Sequence, residues 1–420
     1  MAEERNVSPF PSGTNAPDLG PEMLFNPFLP DVHADPYPSY RRLRETEPIH
    51  QPFPGMWIVS RHRDVTAVLT RSSVSSDRRK SPMWEIFLQS LPDPERVRSI
   101  PPSMLFLDPP DHTRMRTLVN HAFTARTISQ LRPRIAEIVA ELLDAIAERG
   151  EFDIVADLAY PLPITVICDM LAVPAADRPQ IKEWSLDLIY TLDPMVAGDR
   201  MARAQEAGMA FRAYLRELIA ERRKAPGEDI LSALIAAEDE GDKLTEEEIV
   251  STCVLLLVAG HETTSGLIGN GMLALARNPD DLQKLSTDPA IIRTAVEELL
   301  RYDSPVQLTG RLVLEDLEID GRKISKGEEV VTLLGAANRD PEQFPDPDRL
   351  DLGRRDNRHV AFGQGIHFCL GAPLARVEGQ TAIGELVSRF PDIEIDAEAA
   401  EPRETVTLRG LTSLPARVSG

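Results

Sequence analysis

The chain has 420 residues, of which 42% are hydrophobic and 27% are charged, and these proportions are ordinary for a folded globular protein. Its 46 basic and 67 acidic residues give a net charge of −21, which argues against a nucleic-acid partner. The three cysteines, Cys168, Cys253 and Cys369, form neither a CxxC pair nor a disulfide framework, so we expect a reducing, cytoplasmic setting.

The first 21 residues are polar and rich in proline, glycine and serine, which predicts a flexible tail followed by one domain over residues 22–420. This segment has no apolar run of the kind found in signal peptides or membrane anchors. The most continuous apolar stretch, residues 253–259, is far too short to cross a bilayer. We therefore expect a protein that does not enter a membrane.

Helical periodicity dominates the middle of the chain, and proline or glycine marks most of the predicted helix ends. Helices are predicted over residues 38–47, from 111 onward, and over 128–149, 201–223, 245–278, 291–302 and from 372 onward. Strands are predicted over residues 56–59, 307–314, 317–324, 329–333 and 405–411. Thr245 and Glu248 are spaced as a capping box at the start of the longest helix. The chain is thus predicted to be mainly α with a small β part.

The longest predicted helix contains residues that helix propensity alone disfavours. Gly260 is followed closely by Thr263 and Thr264, and threonine hydroxyls can bend a helix. Ala259 and Thr263 lie four residues apart and share a face, so a flat ligand has room there beside a hydroxyl. The alternative is an ordinary helix with a packing glycine and a solvated Glu262.

Residues 362–371 place Cys369 behind a glycine-containing loop and in front of a helix with Pro373 in its first turn. Gly363 and Gly365 can adopt positive φ and have no Cβ, so backbone can approach a flat ligand closely. A cysteine at a helix N-terminus meets free N–H groups and the positive end of the helix dipole, and both stabilise a thiolate. The alternative is a buried structural cysteine, which burial statistics alone favour.

This loop resembles the heme-binding motif of the cytochrome P450 family, Phe-Gly-x-Gly-x-His-x-Cys-x-Gly, and matches it at every defined position. The segment from Ala259 to Thr263 is similar to the motif of the family's oxygen-binding helix. The resemblance covers almost the whole chain and is to the soluble bacterial members. It implies a single-domain helical triangular prism, with heme b between the oxygen-binding helix and the cysteine-loop helix.

The resemblance also implies roles for the matched residues. Cys369 is the implied ligand of the iron, Thr263 the hydroxyl that contacts dioxygen, and Glu262 the acid that delivers protons. Heme contacts are implied for His112, Arg116, Ala259, Gly260, Arg311, Phe362, Gly363, His367, Cys369 and Gly371. The implied partners of the two propionates are His112, Arg116, Arg311 and His367. A buried structural ion network is implied for Glu298, Arg301 and Arg349.

Two segments, residues 75–107 and 184–196, are predicted to cover a substrate pocket. The expected pocket residues are Trp84, Phe87, Leu105, Leu255, Val258, Val306, Leu308 and Leu411. Because these side chains are apolar, we expect a hydrophobic substrate, and a macrolide, another polyketide, a terpenoid or a steroid are all compatible with them. Ordinary core packing is the alternative for each residue.

The activity that the resemblance implies is that of a heme-thiolate monooxygenase, which activates dioxygen and hydroxylates or epoxidises a secondary metabolite such as a macrolide or polyketide. We expect no fused flavin or iron–sulfur domain. We therefore expect electrons from NAD(P)H to arrive through a separate ferredoxin reductase and ferredoxin. A basic patch around the cysteine loop is the expected docking site for an acidic ferredoxin, and the protein is expected to be a monomer. The patch comprises Arg354, Arg355, Arg358, His359 and Arg376.

Two other functions remain open at this point. A peroxide-driven peroxygenase would use the same heme, although such relatives tend to lack the acid–threonine pair that Glu262 and Thr263 provide. A heme-binding sensor or carrier without catalysis would need neither residue, so the presence of both disfavours it.

Overall fold

The computed structural model describes residues 24–27, 29–89, 91, 93–192, 199–239 and 241–418. The predicted tail over residues 1–21 and the last residues of the second pocket-covering segment, 193–196, lie outside the described residues.

Helices make up most of the described chain, and the five predicted with both ends begin and end within three residues of their predicted bounds. The helices are α1 Pro30–Ala34, α2 Tyr37–Thr46, α3 His62–Thr70, α4 Met83–Gln89, α5 Pro94–Ser99, α6 Asp111–Ala122, α7 Ala125–Arg149, α8 Pro161–Met170, α9 Arg178–Leu188, α10 Asp199–Lys224, α11 Ile230–Ala236, α12 Glu246–Ala276, α13 Pro279–Thr287, α14 Ile292–Tyr302, α15 Leu334–Ala337 and α16 Ala372–Arg389.

The strands are short and come from distant parts of the chain. They are β1 Ile49–Phe53, β2 Met56–Val59, β3 Val74–Ser75, β4 Glu151–Asp153, β5 Glu238–Asp239, β6 Asp242–Lys243, β7 Leu308–Val313, β8 Leu317–Ile319, β9 Arg322–Ile324, β10 Glu329–Leu333, β11 Glu394–Ile395, β12 Glu401–Pro402, β13 Leu411–Ser413 and β14 Pro415–Arg417. The largest sheet has the order β1-β2-β10-β7-β3, in which β10 runs parallel to β2 and antiparallel to β7. Its register pairs Arg311 with Val330 and so fixes the position of that arginine.

The strand predicted over residues 405–411 is wrong. Within this range Leu408 forms an isolated β-bridge to Val306, and only the last residue, Leu411, belongs to a strand, β13. The backbone here bonds to other loop segments: the Arg409 N–H donates to the Pro305 carbonyl at 2.7 Å, and the Arg403 N–H donates to the Gly410 carbonyl at 3.0 Å. The segment is therefore a loop that packs against the rest of the domain.

Helix α12 runs through the centre of the protein. It begins at the predicted capping box, in which Thr245 and Glu248 each accept a hydrogen bond from the other's backbone N–H. The helix packs against α8, α10, α14 and α16. It is long and apolar enough to cross a membrane, but 67% of its most apolar window is buried inside the protein, as in a core helix.

A buried ion network anchors α14 to the segment that leads into the cysteine loop. Glu298 and Arg301 are fully buried and paired at 2.7 Å. The predicted third member, Arg349, is wrong: its side chain is exposed and only its carbonyl accepts a hydrogen bond from Arg301. Arg354 takes this place, and its side chain lies 3.1 Å from Glu298. Arg301 donates to the carbonyls of Pro347 and Arg349, so the Arg349 side chain takes no part in the network.

Candidate active site

The cysteine loop is a tight turn that only glycine permits at two positions. Gly363 and Gly365 have φ of +69° and +70°, in the left-handed region. A Cβ on Gly365 would lie 2.5 Å from the carbonyl oxygen of Leu69, at the end of α3. The Cys369 N–H donates to the Phe362 carbonyl at 2.9 Å and closes the loop. The loop therefore holds Cys369 in a fixed position just before α16.

The sulfur of Cys369 lies in a setting that suits a thiolate ligand. Burial raises the pKa of this thiol, whereas backbone N–H groups of Gly371 and Ala372 and the charges of Arg116 and Arg376 lower it. Four positively polarised groups thus face one sulfur, and they would stabilise negative charge on it.

The other two cysteines lack this setting. Burial raises the pKa of Cys168 to about 11 and that of Cys253 to about 12. Neither thiol receives a backbone N–H hydrogen bond among the interactions that shift its pKa. Cys168 and Cys253 therefore behave as small apolar core residues.

Two histidines and two arginines form a cationic cluster beside the loop, and the sequence predicted all four. The rings of His112 on α6 and His367 on the loop have centroids 4.3 Å apart. His112 Nδ1 and His367 Nε2 are buried and unpaired within the described structure. Arg311 is buried and donates only to Thr309 Oγ1 and the Gly310 carbonyl among the contacts described.

Arg116 links the cluster to the cysteine. Its Nη2 donates to the Phe368 carbonyl at 2.9 Å, next to Cys369, and its charge lowers the pKa of the Cys369 thiol. Apart from the Cys369 thiol, Asp108 is the only acid among the described groups that raises the pKa values of this cluster, and it is already paired with Lys80 at 2.6 Å.

Burial and mutual repulsion oppose the charges of this cluster. Burial, with the charges of His112 and Arg311, lowers the pKa of His367 to about 3. Burial lowers the pKa of Arg311 to about 10. Unpaired buried cations and orphaned imidazole nitrogens are costly without a partner, and an anion would satisfy them. The cluster therefore fits the two propionates that a heme would bring to it.

Helix α12 has a stripe of partly exposed residues along its otherwise buried middle, called the open stripe below. Between Ile249 and Leu275 every residue is buried except the members of this stripe, which are Val254, Leu255, Leu256, Ala259, Gly260 and Thr263. Leu255, Ala259 and Thr263 follow each other at four-residue spacing and so share one face. Thr263 donates its hydroxyl to the Ala259 carbonyl at 2.7 Å. A Cβ on Gly260 would lie 2.9 Å from Ile167, so close packing with α8 also requires this glycine.

Glu262 is buried on α12 next to the open stripe. Its carboxylate accepts a hydrogen bond from Arg403, in the loop that was predicted as a strand. Sequence analysis missed Arg403, because a buried glutamate requires a cation but nothing in the sequence says which arginine returns to it. The neighbouring His261 is fully buried and not exposed.

The predicted pocket residues fall in different surroundings. Leu255 lies on the open stripe and Leu105 is half-buried in the turn Met104–Phe106, whereas Val258 is buried in the main core. Leu411 lies near Gly269 of α12. The remaining members pack in other clusters: Trp84 and Phe87 with Leu88, Leu308 with Phe25 and Tyr40, and Val306 with the core beside the large sheet.

The predicted basic patch is smaller than expected. Arg354 is bound to Glu298, and both His359 and Arg376 contact Glu297, so three of its five members serve internal ion pairs. Arg355 and Arg358 remain exposed, and Arg358 lies 3.2 Å from Asp356.

A half-buried thiol that faces N–H donors, an adjacent cluster that requires anions, and a long helix with an open stripe fit the class of heme-thiolate proteins. A model of the cytochrome P450 family matches residues 49–291 and 290–417. The chain therefore belongs to the cytochrome P450 family, and the prediction from its motifs is confirmed. It is a monooxygenase of that family, an oxidoreductase that uses heme and dioxygen.

Similar proteins come from several bacteria. Cytochrome P450 107B1 of Saccharopolyspora erythraea is 43% identical over 394 residues, which cover 91% of this chain and 95% of that protein. The 6-deoxyerythronolide B hydroxylase of the same organism is 41% identical, over 97% of this chain and 100% of that protein. The solved structure of the polyketide synthase cytochrome P450 PksS from Bacillus subtilis has a TM-score of 0.85 at 39% identity, over 94% of this chain and 100% of that one. The similarity to this solved structure confirms the predicted fold.

Proposed function

We propose that Cys369 holds the heme iron through its thiolate and that the enzyme oxidises a macrolide or another polyketide. The first part of the proposal rests on two neighbouring features. The Cys369 thiol faces N–H donors, and the cationic cluster beside it lacks anions. Arg116 belongs to both groups, since it acts on the Cys369 thiol and lies among the cations. His112, Arg116, Arg311 and His367 would bind the propionates.

When bound, the heme supplies the reductive activation of dioxygen, with a thiolate ligand that favours O–O cleavage. Inserting one oxygen atom into the substrate reduces the other to water and consumes two electrons and two protons. In our proposal Thr263 offers its hydroxyl to dioxygen from the open stripe, and Glu262 delivers the protons from the buried side. Because Ala259 and Gly260 have no bulky side chains, a flat group can lie close to this stretch of α12.

The substrate proposal rests on apolar surface and on relatives. Leu255 and Leu256 give the open stripe an apolar upper end, which suits a hydrophobic molecule. The 6-deoxyerythronolide B hydroxylase and the polyketide synthase cytochrome P450 PksS both carry polyketide-type names, and both match nearly the whole chain. Hydroxylation is the expected reaction, and epoxidation applies if the substrate presents an alkene.

The electrons are proposed to come from NAD(P)H through an external reductase and a ferredoxin. Arg355 and Arg358 are exposed near the cysteine loop and carry the charge that an acidic ferredoxin would meet. We further propose a cytoplasmic monomer, in keeping with three cysteines that are all unpaired.

An optical titration tests the substrate class. The heme-loaded enzyme is titrated with a macrolactone, a linear polyketide thioester, a steroid and a terpenoid, and the Soret band reports ligand binding. We expect the band to shift at the lowest concentration with the macrolactone or the polyketide. Tighter binding of the steroid or terpenoid would contradict the substrate proposal.

Turnover of the best ligand tests the reaction type. Product formation is compared with NADPH, reductase and ferredoxin, and with peroxide alone. The proposal expects faster, coupled turnover with the ferredoxin system. Equal or faster turnover with peroxide alone would identify a peroxygenase, and absence of NADPH oxidation despite tight binding would identify a non-catalytic heme protein.

A further inference from the structure

Glu262 is a buried carboxylate with two different surroundings for its two oxygens. The side chain is 1% exposed, and Oε2 accepts a hydrogen bond from Arg403. Oε1 has no hydrogen-bond partner within the described residues and lies 3.7 Å from Nδ1 of His261. Oε2 is therefore held by the Arg403 cation, whereas Oε1 faces His261 at a distance too long for a hydrogen bond.

Arg403 connects this buried carboxylate with the protein surface. Its side chain is 16% exposed, and it lines a shallow surface recess. The recess is also bounded by Tyr40, Gln307 and Arg409. Arg403 thus contacts the buried carboxylate and also borders this surface recess, so it links the two.

His261 is a buried polar side chain without a partner. It is 0% exposed, and neither ring nitrogen has a hydrogen-bond partner in the part of the chain that is described. Its ring meets the Tyr160 ring edge-on, with centroids 4.2 Å apart. The charged groups that act on it are Glu262, Arg403 and Lys182 of α9, whose ammonium lies 5.0 Å from the centre of the Tyr160 ring.

The protonation state of His261 follows from this setting. Its pKa is lowered to about 4, because burial and the charges of Arg403 and Lys182 together outweigh the charge of Glu262, which raises it. The imidazole is therefore neutral at pH 7, with one N–H donor and one acceptor nitrogen. A neutral donor can hold a carboxylate oxygen, or a protonated carboxyl group, without adding a second buried charge.

We propose that Arg403 and His261 are positioning residues for the proton relay of Glu262. Arg403 holds one oxygen of the carboxylate, and His261 bonds the other oxygen when the contact with Arg403 loosens. In each transfer Glu262 accepts one proton from solvent and releases one proton towards the open stripe, so the carboxylate is regenerated. The inference rests on the proposed role of Glu262 as the proton-delivering acid.

The first experiment compares Arg403→Gln with Arg409→Gln in the heme-loaded enzyme. Arg409 is the matched control, because it borders the same recess but pairs with Asp303 at 2.7 Å. We expect Arg403→Gln to lower product formed per NADPH about tenfold, since positioned proton transfer contributes roughly 100-fold or more to rates. Arg409→Gln should leave this ratio unchanged, and Arg403→Lys should recover part of it.

A second readout does not depend on turnover. The infrared band of a protonated carboxyl group is titrated with pH and assigned to Glu262 by subtracting the spectrum of Glu262→Gln. Without the guanidinium, a buried carboxylate is left unpaired and takes up a proton. The band should therefore persist to higher pH in Arg403→Gln than in the wild type or in Arg409→Gln.

His261 is tested by two substitutions of different character. His261→Phe keeps the edge-on packing against Tyr160 and removes both ring nitrogens, whereas His261→Gln keeps a hydrogen-bond donor. We expect product per NADPH to fall several-fold in His261→Phe and to recover in His261→Gln. Equal values in both variants and the wild type would remove His261 from the relay.

The outcomes separate this inference from the proposed function. If Glu262→Gln itself leaves product per NADPH unchanged, the relay role of Glu262 fails. If Glu262→Gln lowers this ratio but Arg403→Gln matches Arg409→Gln in both the ratio and the infrared titration, the relay stands and the positioning role of Arg403 is overturned.

Discussion

Thr263 and Thr264 are neighbours on α12 that make the same backbone contact but face different surroundings. Their hydroxyls donate to the carbonyls of Ala259 and Gly260, at 2.7 and 3.0 Å. Thr263 lies on the open stripe, whereas Thr264 is 2% exposed. The pair therefore separates the role of a hydroxyl in catalysis from its role in bending the helix.

Thr263→Ala is expected to divert electrons from product to peroxide and water, because it removes the hydroxyl that we propose contacts dioxygen. We expect product per NADPH to fall about tenfold or more, which is the scale of a positioned proton-transfer group. The measurement is product and peroxide per NADPH consumed. Thr264→Ala serves as the control and should keep the wild-type ratio, and an unchanged ratio in Thr263→Ala would contradict the assignment.

Glu378 on α16 is a buried carboxyl group whose pKa burial raises to about 8, although the nearby Thr264 hydroxyl lowers it somewhat. The folded protein thus keeps a proton at pH 7 that the unfolded chain, with an ordinary pKa of 4.5, has lost. A raised folded-state pKa stabilises the fold fully below about 4.5, and this contribution is lost as pH rises towards 8.

Glu378→Gln is therefore expected to flatten the fall of stability between pH 4.5 and 8. The unfolding free energy of the variant is compared with that of the wild type at each pH. Between pH 4 and pH 8 this difference should shift in favour of the variant by roughly 1–4 kcal/mol. Urea unfolding across this pH range measures the effect. Glu385→Gln, an exposed position on the same helix, is the control, and parallel curves for Glu378→Gln and wild type would refute the buried-proton account.

Single residues were predictable where a local motif fixes their surroundings. Cys369 and His367 share one loop, and Ala259 and Thr263 share one helix face, so sequence spacing alone indicated their proximity. Arg403 was not predictable, because it reaches Glu262 across 141 positions of sequence and any of many arginines could have done so.

At the scale of elements, the contact between α14 and the segment before the cysteine loop depends on Glu298. This carboxylate is 0% exposed and receives Arg301 at 2.7 Å and Arg354 at 3.1 Å. Asn357 adds a hydrogen bond at 3.2 Å. Three side chains from two segments thus satisfy one buried charge, so the loop is held to the helix by a fully paired carboxylate.

Arg354→Ala is expected to destabilise the protein by about 3–5 kcal/mol, because it removes one partner from a buried ion network. Arg349→Ala is the matched comparison and should cost at most about 0.5 kcal/mol, since its side chain is exposed. Chemical unfolding of both variants measures the difference. A larger loss in Arg349→Ala than in Arg354→Ala would restore Arg349 as the third member of the network.

Elements differed in how well their sequence predicted them. Helix α12 has a capping box and a long apolar pattern, and its start was predicted within one residue. The segment 405–411 has the alternation of a strand, but its backbone hydrogen bonds go to turns and to the Pro305 carbonyl instead of a neighbouring strand. Sequence alternation reports which side chains are buried and cannot report whether a partner strand is present.

At the scale of the whole molecule, the net charge of −21 opposes the approach of an acidic ferredoxin. The proposed docking of a ferredoxin would therefore need a local basic surface, and the exposed members of the basic patch are Arg355 and Arg358, together with the partly exposed Arg376. Arg358 is the most exposed of those with a described ion pair, at 79%.

Arg358→Glu is expected to slow ferredoxin-dependent reduction several-fold at low salt, and added salt should shrink this difference, since surface charges are screened beyond about 10 Å at 0.1 M. Stopped-flow reduction at several ionic strengths measures it. Arg417→Glu, which alters another exposed arginine that is paired with Glu394, controls for net charge. Equal rates in both variants at every salt concentration would remove the basic docking surface from the account.

The central claim is that the whole fold converges on one thiolate, the sulfur of Cys369, as the ligand of the heme iron. The most direct test is the absorption spectrum of the reduced carbon-monoxide complex, with Cys168→Ala and Cys253→Ala as controls for the two buried thiols. We predict a red-shifted Soret band in the wild type and in both controls, and its loss in Cys369→Ala. A red-shifted band that survives in Cys369→Ala, or that is absent from the wild type, would contradict the account.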